Sequence, residues 1–493
     1  MAGTYAAVDL GAESGRVVLG KVEDGRVELK ELHRFRNGPV RVGGHMHWDV
    51  LRLWEEILTG LAAAVREDGR LSSIGVDTWG VDYGLLDRNG ALLGNPHHYR
   101  DHRTDGMPER LFARVPLAEV FAATGIQFMQ LNTLYQLYAM VEERSPMLDV
   151  ADRLLFTPDL FHYWLCGEKV GEYTIATTSQ CYDVAGQAWA TRLLERLGIP
   201  SGMFPPLVQP GTRLGRVLTA VADRIGAAGI EVVAPGAHDT ASAVAAVPAR
   251  TDRYAYISSG TWSLMGAVVP SPVVNETARS LAFTNEGGVA GTVRLLKNIA
   301  GLWPVQECRR AWARAGEELG YDALTAMAAA APPFRTVIDP DHASFLAPDD
   351  MPGAIAAYCS RTGQAPPESR GVLVRAILEG LGYKYRRTLE NLERLLGQRL
   401  EVIHIVGGGS QNQLLCQVAS DACGRPVLAG PVEATAIGNV LAQAITAGAL
   451  SSWEQAREVV RTTFPLRSYE PTGAAAWDEA IPRMQRILEG GHR

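Results

Sequence analysis

The same short unit, a strand, a turn of small residues and a second strand, occurs near the start of each half of the chain. In the first half, apolar residues 5–10 and 17–22 predict two strands on either side of the turn GAESGR. In the second half, residues 254–258 and 263–269 flank the turn SGTW in the same way. A repeated unit in a chain about three times the usual domain length predicts two similar α/β domains. We place these domains at residues 1–248 and 249–493.

Strand and helix patterns also alternate along the rest of the chain. Apolar residues recur at helical spacing from Val50 to Val65, after Asp49, a residue type that favours a helix N-cap. Short apolar runs predict strands, and several of them lead directly into a helix pattern. Such alternation is typical of an α/β fold. The remaining predicted strands lie at residues 27–35, 73–77, 402–406 and 427–429, and the later helices at residues 413–422 and about 434–447.

Turns rich in glycine follow three of the predicted strands, as GAESGR, SGTW and GGGSQN. Backbone N–H groups in such turns can bind phosphate without a lysine. Three consecutive glycines, at residues 407–409, are expected only where the chain bends sharply or where a ligand touches the backbone. The lysine-bearing phosphate loop GxxxxGKS/T and the motif GxGxxG do not occur in the sequence, so a nucleotide site here is of another type. A surface hairpin is the alternative interpretation of GAESGR.

The segment VVAPGAHDTASAV places one carboxylate, that of Asp239, between a predicted buried strand and an Ala-rich segment with helical propensity. A carboxylate at such a corner can act as a helix N-cap. It can also act as a general base that takes a proton from a substrate hydroxyl group. Farther along, small residues at Ala434, Gly438 and Ala442 predict either a close helix crossing or a platform for an adenine ring.

Composition limits the classes of partner. The formal charge is -7 and no long Lys/Arg block occurs, which argues against a nucleic-acid or anionic membrane surface. No apolar run reaches membrane-spanning length and the amino-terminal sequence leads directly into a strand pattern, so we expect a cytoplasmic protein. Small molecules are the expected partners, and the chain is expected to be a monomer or a homodimer. The six cysteines show no metal-binding spacing and predict reduced core thiols.

Eight short motifs occur in a fixed order along nearly the whole length of the chain. They are VDLGAESGR, GVDTWGVD, YRDHR, GAHDTASA, SSGTWSLMG, LLKNIAGLW, HIVGGGSQN and GPVEATAIGN. In this order they resemble the FGGY family of carbohydrate kinases. Each motif alone is a weak signal, whereas eight in the same order are specific.

The resemblance implies two actin-like (ribonuclease H-like) α/β ATPase domains with an interdomain cleft, the first binding mainly the sugar and the second ATP. It implies phosphoryl transfer from ATP, with Mg²⁺, to the 1-hydroxyl group of L-rhamnulose, with Asp239 as catalytic base. Asp9 matches a carboxylate that acts toward magnesium through water. The residues that match ATP-contacting positions are Ala12, Glu13, Ser14, Gly15, Arg16, Thr261, Gln306 and Gly408. Those that match sugar-contacting positions are Gly80, His238, Asp239, Thr240 and Asn298.

Two other functions stay open beside this one. A kinase of the same family that acts on L-fuculose or xylulose would use the same ATP motifs and differ only in its sugar contacts. A non-catalytic actin-like ATPase is the alternative from a different class. The sugar motif at residues 99–103 has Tyr99 where some relatives have Trp, so no stacking role is carried over to it. Glu13 either points outward or meets Arg16.

Several other residues have a structural interpretation. Two short histidine pairs suggest a metal site, but such pairs without carboxylate or cysteine partners are more often surface or hydrogen-bonded side chains, and we interpret them in that way. Trp79 belongs to the core or flanks a sugar ring. Charged residues in the helical pattern at residues 373–396, including Lys384, predict a solvated face. The histidine pairs are His45 with His47 and His97 with His98.

Overall fold

A computed structural model describes residues 3–490, which divide into two compact α/β units. Unit 1 contains the residues up to Pro248 together with Val268–Leu295 and Ala434–Thr463. Unit 2 contains Ala249–Ala267, Leu296–Glu433 and the residues from Phe464 onward. Each unit is therefore built from separate parts of the sequence.

The described residues form twenty-one strands and nineteen α-helices. The strands are β1 (Gly3–Leu10), β2 (Ser14–Glu23), β3 (Arg26–Arg36), β4 (Pro39–Val42), β5 (His45–Trp48), β6 (Ser73–Thr78), β7 (Tyr83–Leu86), β8 (Arg153–Phe156), β9 (Gly171–Glu172), β10 (Tyr182–Asp183), β11 (Ala188–Trp189), β12 (Leu207–Val208), β13 (Thr212–Arg216), β14 (Glu231–Ala234), β15 (Tyr254–Ser259), β16 (Trp262–Val269), β17 (Thr284–Gly287), β18 (Val293–Ala300), β19 (Val402–Val406), β20 (Val427–Ala429) and β21 (Arg467–Tyr469). The helices are α1 (Val50–Glu67), α2 (Met107–Arg114), α3 (Leu117–Thr124), α4 (Thr133–Glu142), α5 (Met147–Val150), α6 (Thr157–Cys166), α7 (Tyr173–Ala176), α8 (Thr191–Leu197), α9 (Thr219–Ile225), α10 (Asp239–Ala245), α11 (Glu276–Ser280), α12 (Trp303–Arg314), α13 (Tyr321–Ala330), α14 (Met351–Arg361), α15 (Arg370–Leu396), α16 (Gln413–Cys423), α17 (Ala434–Thr446), α18 (Trp453–Thr463) and α19 (Ala474–Gly490).

Unit 1 is organised around a six-stranded sheet of order β13-β14-β6-β1-β2-β3. Strand β1 runs antiparallel to β2 and parallel to β6, and β6 runs parallel to β14. Apolar side chains of α1, α6 and α9 pack into one core with those of the sheet. Helix α1 begins directly after Asp49, whose side chain accepts the N–H of Arg52 at 3.1 Å. The predicted first hairpin and the predicted cap are confirmed.

Helix α17 packs closely against α10, β1 and β6, all within unit 1. Gly438 faces the backbone of Ser242 in α10, and a Cβ atom at Gly438 would overlap the Ser242 carbonyl group. Asn439 and Gln443 lie on the same helix and donate hydrogen bonds to backbone carbonyl groups of β6 and β1. The close helix crossing predicted from the small residues of α17 is therefore confirmed.

In unit 2 the strands follow the order β18-β16-β15-β19-β20-β21. The last residues of β16 and the first residues of β18 belong to unit 1. Strand β15 runs antiparallel to β16 and parallel to β19. The pair β15-β16 thus repeats the arrangement of β1-β2 beside a parallel neighbour, as the duplicated sequence unit predicts. The 27-residue helix α15 packs against α13 and α16.

Two predictions from composition can be compared with the structure. All six cysteines are buried and carry free thiols, which confirms the prediction of reduced core cysteines. Within residues 3–490, no helix combines the length and the hydropathy needed to cross a lipid bilayer.

The prediction that Lys384 lies on a solvated face of α15 is wrong. Its side chain is 21% exposed, and its Nζ lies 2.7 Å from Asp339 Oδ1 and 3.0 Å from Asp341 Oδ2. Asp341 in turn accepts the backbone N–H of Ala300 at 2.7 Å, at the end of β18. A helical pattern shows which residues share a face, but it cannot show that a distant acidic loop covers that face.

Replacement of Lys384 by methionine is expected to lower the free energy of unfolding by about 2 kcal/mol, between the values for exposed and buried ion pairs. The loss arises because Asp339 and Asp341 would lose the cation that offsets their desolvation. Arg387→Met is a matched control, since Arg387 and its partner Glu390 are 49% and 43% exposed. Urea unfolding measures both changes, and equal losses in the two variants would contradict the prediction.

Candidate active site

The hairpin between β1 and β2 carries the first predicted phosphate turn. The carbonyl groups of Gly11 and Glu13 both accept hydrogen bonds from Asn37, at 2.8 and 2.9 Å. Gly15 is buried, and a Cβ atom there would overlap the ring of Phe35, so this glycine is required for close packing. Residues 11–14 are partly exposed. The turn therefore has a fixed backbone with an accessible edge.

Asp9 lies at the end of β1 and pairs with Arg16 across the hairpin. Arg16 donates to Asp9 Oδ2 from Nε at 2.9 Å and from Nη2 at 2.6 Å. The predicted phosphate residue Arg16 and the predicted magnesium residue Asp9 are thus direct partners. Asp9 also lies opposite Asp77 in the parallel register of β1 and β6.

Asp77 is a fully buried carboxyl group that sequence reasoning did not assign to the site. Its Oδ2 accepts a hydrogen bond from Asn439 Nδ2 of α17 at 2.6 Å, and its Oδ1 has no hydrogen-bond partner among the described residues. Desolvation raises the pKa of Asp77 well above its usual range, and the negative charges of Asp9 and Asp239 act in the same direction. Three carboxyl groups in unit 1 therefore influence one another.

Asp239 is the first residue of α10, and the N-cap of that helix is His238. The interpretation of Asp239 as the N-cap is therefore wrong. Its side chain is 30% exposed and accepts a hydrogen bond from Thr240 Oγ1 at 3.1 Å. Desolvation raises the pKa of Asp239, with His238 acting in the opposite direction and Asp9 adding to the rise. The group is thus an accessible carboxylate with increased basicity.

A buried chain of charged groups fixes the tautomer of His238. Arg294, which is 1% exposed, donates from Nη2 to His238 Nδ1 at 3.0 Å and to Glu286 Oε2 at 3.1 Å. Because a guanidinium group only donates, this contact assigns Nδ1 as the acceptor and places the proton on Nε2, although Glu286 Oε2 also lies 3.3 Å from Nδ1. His238 Nε2 lies 3.4 Å from Asp239 Oδ1. The N–H of His238 therefore faces the carboxylate of Asp239.

The backbone that carries His238 is held by Glu172 and Thr174. Glu172 Oε2 accepts the N–H of Ala237 at 3.1 Å and the hydroxyl of Thr174 at 2.5 Å. Thr174 Oγ1 accepts the N–H of His238 at 3.1 Å. Two residues far away in sequence thus set the course of the chain just before Asp239.

The loop with Gly80 follows β6 in the same unit. A Cβ atom at Gly80 would lie 3.2 Å from Thr178 Oγ1, and the next residue, Val81, has φ 67°. Left-handed backbone is costly for a β-branched residue and is found mainly where the surroundings impose it, often at functional sites. Trp79 is 5% exposed, and its ring centroid lies 4.0 Å from that of Trp48. Trp79 therefore belongs to the core.

Asp82 anchors this loop from the interior. Its Oδ2 accepts the indole N–H groups of Trp48 at 2.5 Å and Trp79 at 3.0 Å, and its Oδ1 accepts from Gln136 Nε2 at 2.9 Å. Desolvation by burial raises the pKa of Asp82 to about 6, against the effect of these hydrogen bonds.

This shift predicts that Asp82 makes the stability of unit 1 depend on pH. Between about pH 4 and 6 the folded state binds more protons at Asp82 than the unfolded state, so the free energy of unfolding falls as pH rises, by about 3 kcal/mol for a shift of about two pKa units. Asp82→Asn removes this contribution. Urea unfolding, followed by tryptophan fluorescence at about pH 4 and 7, should show a steeper decline for the wild type than for the variant. Parallel curves would refute the assignment.

The residues predicted to contact ATP in unit 2 surround the turn between β15 and β16. The carbonyl group of Thr261 accepts the N–H groups of Gly301 and Trp303, at 3.1 and 3.2 Å, where α12 begins. Gln306 lies one turn into α12, and its Oε1 is buried without a hydrogen-bond partner in the part of the chain that the structure describes. A buried acceptor of this kind fits a ligand that donates hydrogen bonds.

The glycine run after β19 packs against the same turn. Gly407 has φ 82°, and a Cβ atom at Gly409 would overlap Ser259 Oγ. Gly408 differs, since it is exposed and a Cβ atom there would meet nothing within 4 Å. Gly407 and Gly409 are thus required by the backbone conformation and the close packing, whereas Gly408 leaves open space beside the backbone. Asn298, predicted to contact the sugar, lies in β18 and is partly exposed.

The structure adds four residues to those predicted: Asp77, Glu172, Glu286 and Arg294. Asp77 is part of the motif GVDTWGVD and could have been noticed there. Glu286 and Arg294 occur eight residues apart with no local signal, because a buried charge has the same sequence appearance as a surface charge.

Two family models match the chain. The N-terminal domain of the FGGY family of carbohydrate kinases matches residues 4–246, and the C-terminal domain of that family matches residues 255–447. The rhamnulokinase of Bacteroides thetaiotaomicron is 45% identical over 476 residues, which cover 97% of each chain. The rhamnulokinase of Pectobacterium carotovorum is 43% identical over 486 residues, covering 98% of this chain and 96% of that protein.

Solved structures of sugar kinases share the fold. The gluconate kinase of Lactobacillus acidophilus aligns with a TM-score of 0.81 at 15% identity, covering 99% of this chain and 98% of the other. The xylulose kinase of Rhodospirillum rubrum aligns with a TM-score of 0.78 at 20% identity, covering 99% and 100%. The predicted two-domain α/β fold class is confirmed.

Proposed function

Because the chain belongs to the FGGY family of carbohydrate kinases, we propose that it transfers the γ-phosphoryl group of ATP to the 1-hydroxyl group of L-rhamnulose. The observation that carries this proposal is the placement of Asp239, a basic and accessible carboxylate beside the N–H of His238. The choice of sugar is supported by relatives that bear the name rhamnulokinase and match over nearly the full length.

Asp239 is proposed as the general base. A carboxylate with a raised pKa takes a proton from an attacking hydroxyl group more readily than an ordinary one. The buried chain from Glu286 through Arg294 to His238 orients the imidazole before the substrate arrives, so little reorganisation is needed during the reaction. Gly80, Thr240 and Asn298 are proposed to contact the sugar.

ATP is proposed to bind through backbone and polar groups in both units. The turn of Ala12, Glu13, Ser14, Gly15 and Arg16 offers amides to the phosphates, as does the turn at Thr261. The open space at Gly408 and the buried acceptor of Gln306 support a nucleoside contact. Asp9 provides the hard carboxylate oxygen that suits Mg²⁺ and would hold it through water. When bound, Mg²⁺ neutralises charge on the phosphates.

The domain boundary near residue 248 remains a proposal, supported by the matched ranges 4–246 and 255–447. A cytoplasmic location is likewise proposed, because it is where ATP is available as a co-substrate.

An ADP-release assay with a panel of ketoses tests the proposed function. We expect L-rhamnulose to support turnover with kcat/KM at least about tenfold above L-fuculose and xylulose, a difference of about 1.4 kcal/mol in transition-state binding. The phosphorylated carbon of the product should be carbon 1. Preference for another ketose would reassign the sugar, and ATP hydrolysis that no sugar stimulates would indicate a non-catalytic actin-like ATPase.

A further inference from the structure

A group of three side chains outside the proposed kinase residues has the composition of a metal site. His45, His97 and Asp101 each provide one ligand atom, and these atoms lie within 4.8 Å of one another. The interpretation of His45 as a surface or hydrogen-bonded side chain is confirmed, but its assumed lack of a carboxylate partner is wrong, since Asp101 Oδ1 lies 3.0 Å from His45 Nδ1. The carboxylate is distant from His45 in sequence and only the fold brings it close.

The local fold places the two imidazoles on one face. The segment with His97 runs antiparallel beside β5. The backbone N–H of Trp48 donates to Pro96 O at 2.8 Å, and His47 pairs with His97 across the two segments. His45 and His47 alternate with the buried Met46 and Trp48, so both imidazoles point to the opposite face of the strand. His97 is opposite His47 and diagonal to His45, a spacing at which long side chains can meet.

Asp101 is held in place before any ligand arrives. It is 2% exposed, and its Oδ2 accepts the N–H of Met46 at 2.7 Å while its Oδ1 accepts the N–H of Arg103 at 3.0 Å. These hydrogen bonds fix the orientation of the carboxylate.

The imidazole of His97 packs against two other histidine rings, with its centroid 4.3 Å from that of His47 and 5.7 Å from that of His45. His45 is half exposed and has room to rotate. One mobile ligand beside two fixed ligands can adjust to an ion.

The surroundings leave space for a further ligand. His45 and His97 line an open depression together with Tyr83, Asn95, Arg103 and Glu143. A site with three protein ligands keeps an open position that water or a small anion can fill.

We propose that His45, His97 and Asp101 bind one divalent transition-metal ion of the zinc type. Two imidazoles and a carboxylate are ligands that zinc accepts, at about 2.0–2.2 Å, which places tetrahedral ligands about 3.4 Å apart. The three ligand atoms lie within 4.8 Å of one another, so each pair has to close by at most about 1.4 Å to reach this spacing. The bound ion links strand β5 to the loop at residues 97–101, and this role does not depend on phosphoryl transfer.

Zinc titration of the full-length protein, stripped with chelator and free of nucleotide, tests the proposal. Isothermal titration with ZnCl₂ should show one equivalent bound, and His97→Ala and His45→Ala should each weaken binding at least about tenfold. Zinc should raise the thermal unfolding midpoint of the wild type and not that of His97→Ala. Co²⁺ in place of zinc should give the visible absorption of a tetrahedral site in the wild type alone.

His102→Ala is the matched control. His102 is an exposed histidine in the same loop, with its Nδ1 3.0 Å from Asp105 Oδ2, and has no role in the proposed site. Circular dichroism checks that each variant is folded. Absence of stoichiometric zinc binding in the wild type, or retention of it in both His45→Ala and His97→Ala, overturns the proposal, as does an equal loss in His102→Ala.

Discussion

Asp239→Asn is expected to lower kcat by about 10²–10⁴ while the fold is retained. The amide that replaces the carboxylate cannot accept the proton of the sugar hydroxyl group. Thr240 Oγ1 can still donate to the side-chain oxygen, so the local structure should persist. Steady-state kinetics with L-rhamnulose and ATP, together with thermal unfolding, measure both effects.

The pH dependence of the same variant provides a second measurement. In the wild type, turnover should fall as pH decreases through the raised pKa of Asp239, because the protonated form is not a base. The residual rate of Asp239→Asn should lack this acidic limb. Asp105→Asn is a control for an exposed aspartate, and its rate should equal that of the wild type. Near-normal turnover of Asp239→Asn would remove Asp239 from the role of base.

Arg294→Met should destabilise unit 1 by about 3–5 kcal/mol and also lower kcat. Glu286 would lose the buried cation beside it, and His238 Nδ1 would lose the donor that fixes its tautomer. Urea unfolding and steady-state kinetics report the two losses separately. In the exposed pair of Arg279 with Glu276, Arg279→Met should change stability by no more than about 1 kcal/mol.

A double variant separates the structural role of Arg294 from its role in orienting His238. Arg294→Met with Glu286→Met removes both charges and leaves no donor beside His238 Nδ1, which lies 3.3 Å from Glu286 Oε2, and it should recover much of the lost stability because no uncompensated buried charge remains. Turnover should stay low, since the imidazole is still not oriented. Full recovery of kcat in the double variant would show that Arg294 acts on stability alone.

Sequence patterns predicted the elements of this fold well where the signal is local. The hairpin β1-β2, helix α1 with its cap at Asp49 and the close crossing of α17 all depend on residues a few positions apart. Two of the errors arose from contacts between distant segments. Lys384 has acidic partners more than forty residues earlier, and His45 meets Asp101 across fifty-six positions.

The proposed site likewise combines residues with a local sequence signal and residues that only the fold brings to the site. Asp239, His238 and the glycine turns lie in recognisable motifs, so their residues could be named before the structure was known. The residues that hold this backbone in place, and the burial that shifts the pKa values, could not be identified from the sequence. Glu172 supports the N–H of Ala237 from sixty-five positions away, and burial, which no periodicity reports for a charged residue, determines the pKa shifts of Asp77 and Asp82.

The position of α17 has a consequence for how the protein is made. Ser73 and Asp77, on β6, meet Gln443 and Asn439, whose codons come late in the message. A ribosome that has released only the residues up to Pro248 has not yet made the helix that covers this face of the sheet. The first unit is therefore completed only near the end of translation. A nascent chain interrupted before α17 would present an uncovered β surface to chaperones and proteases.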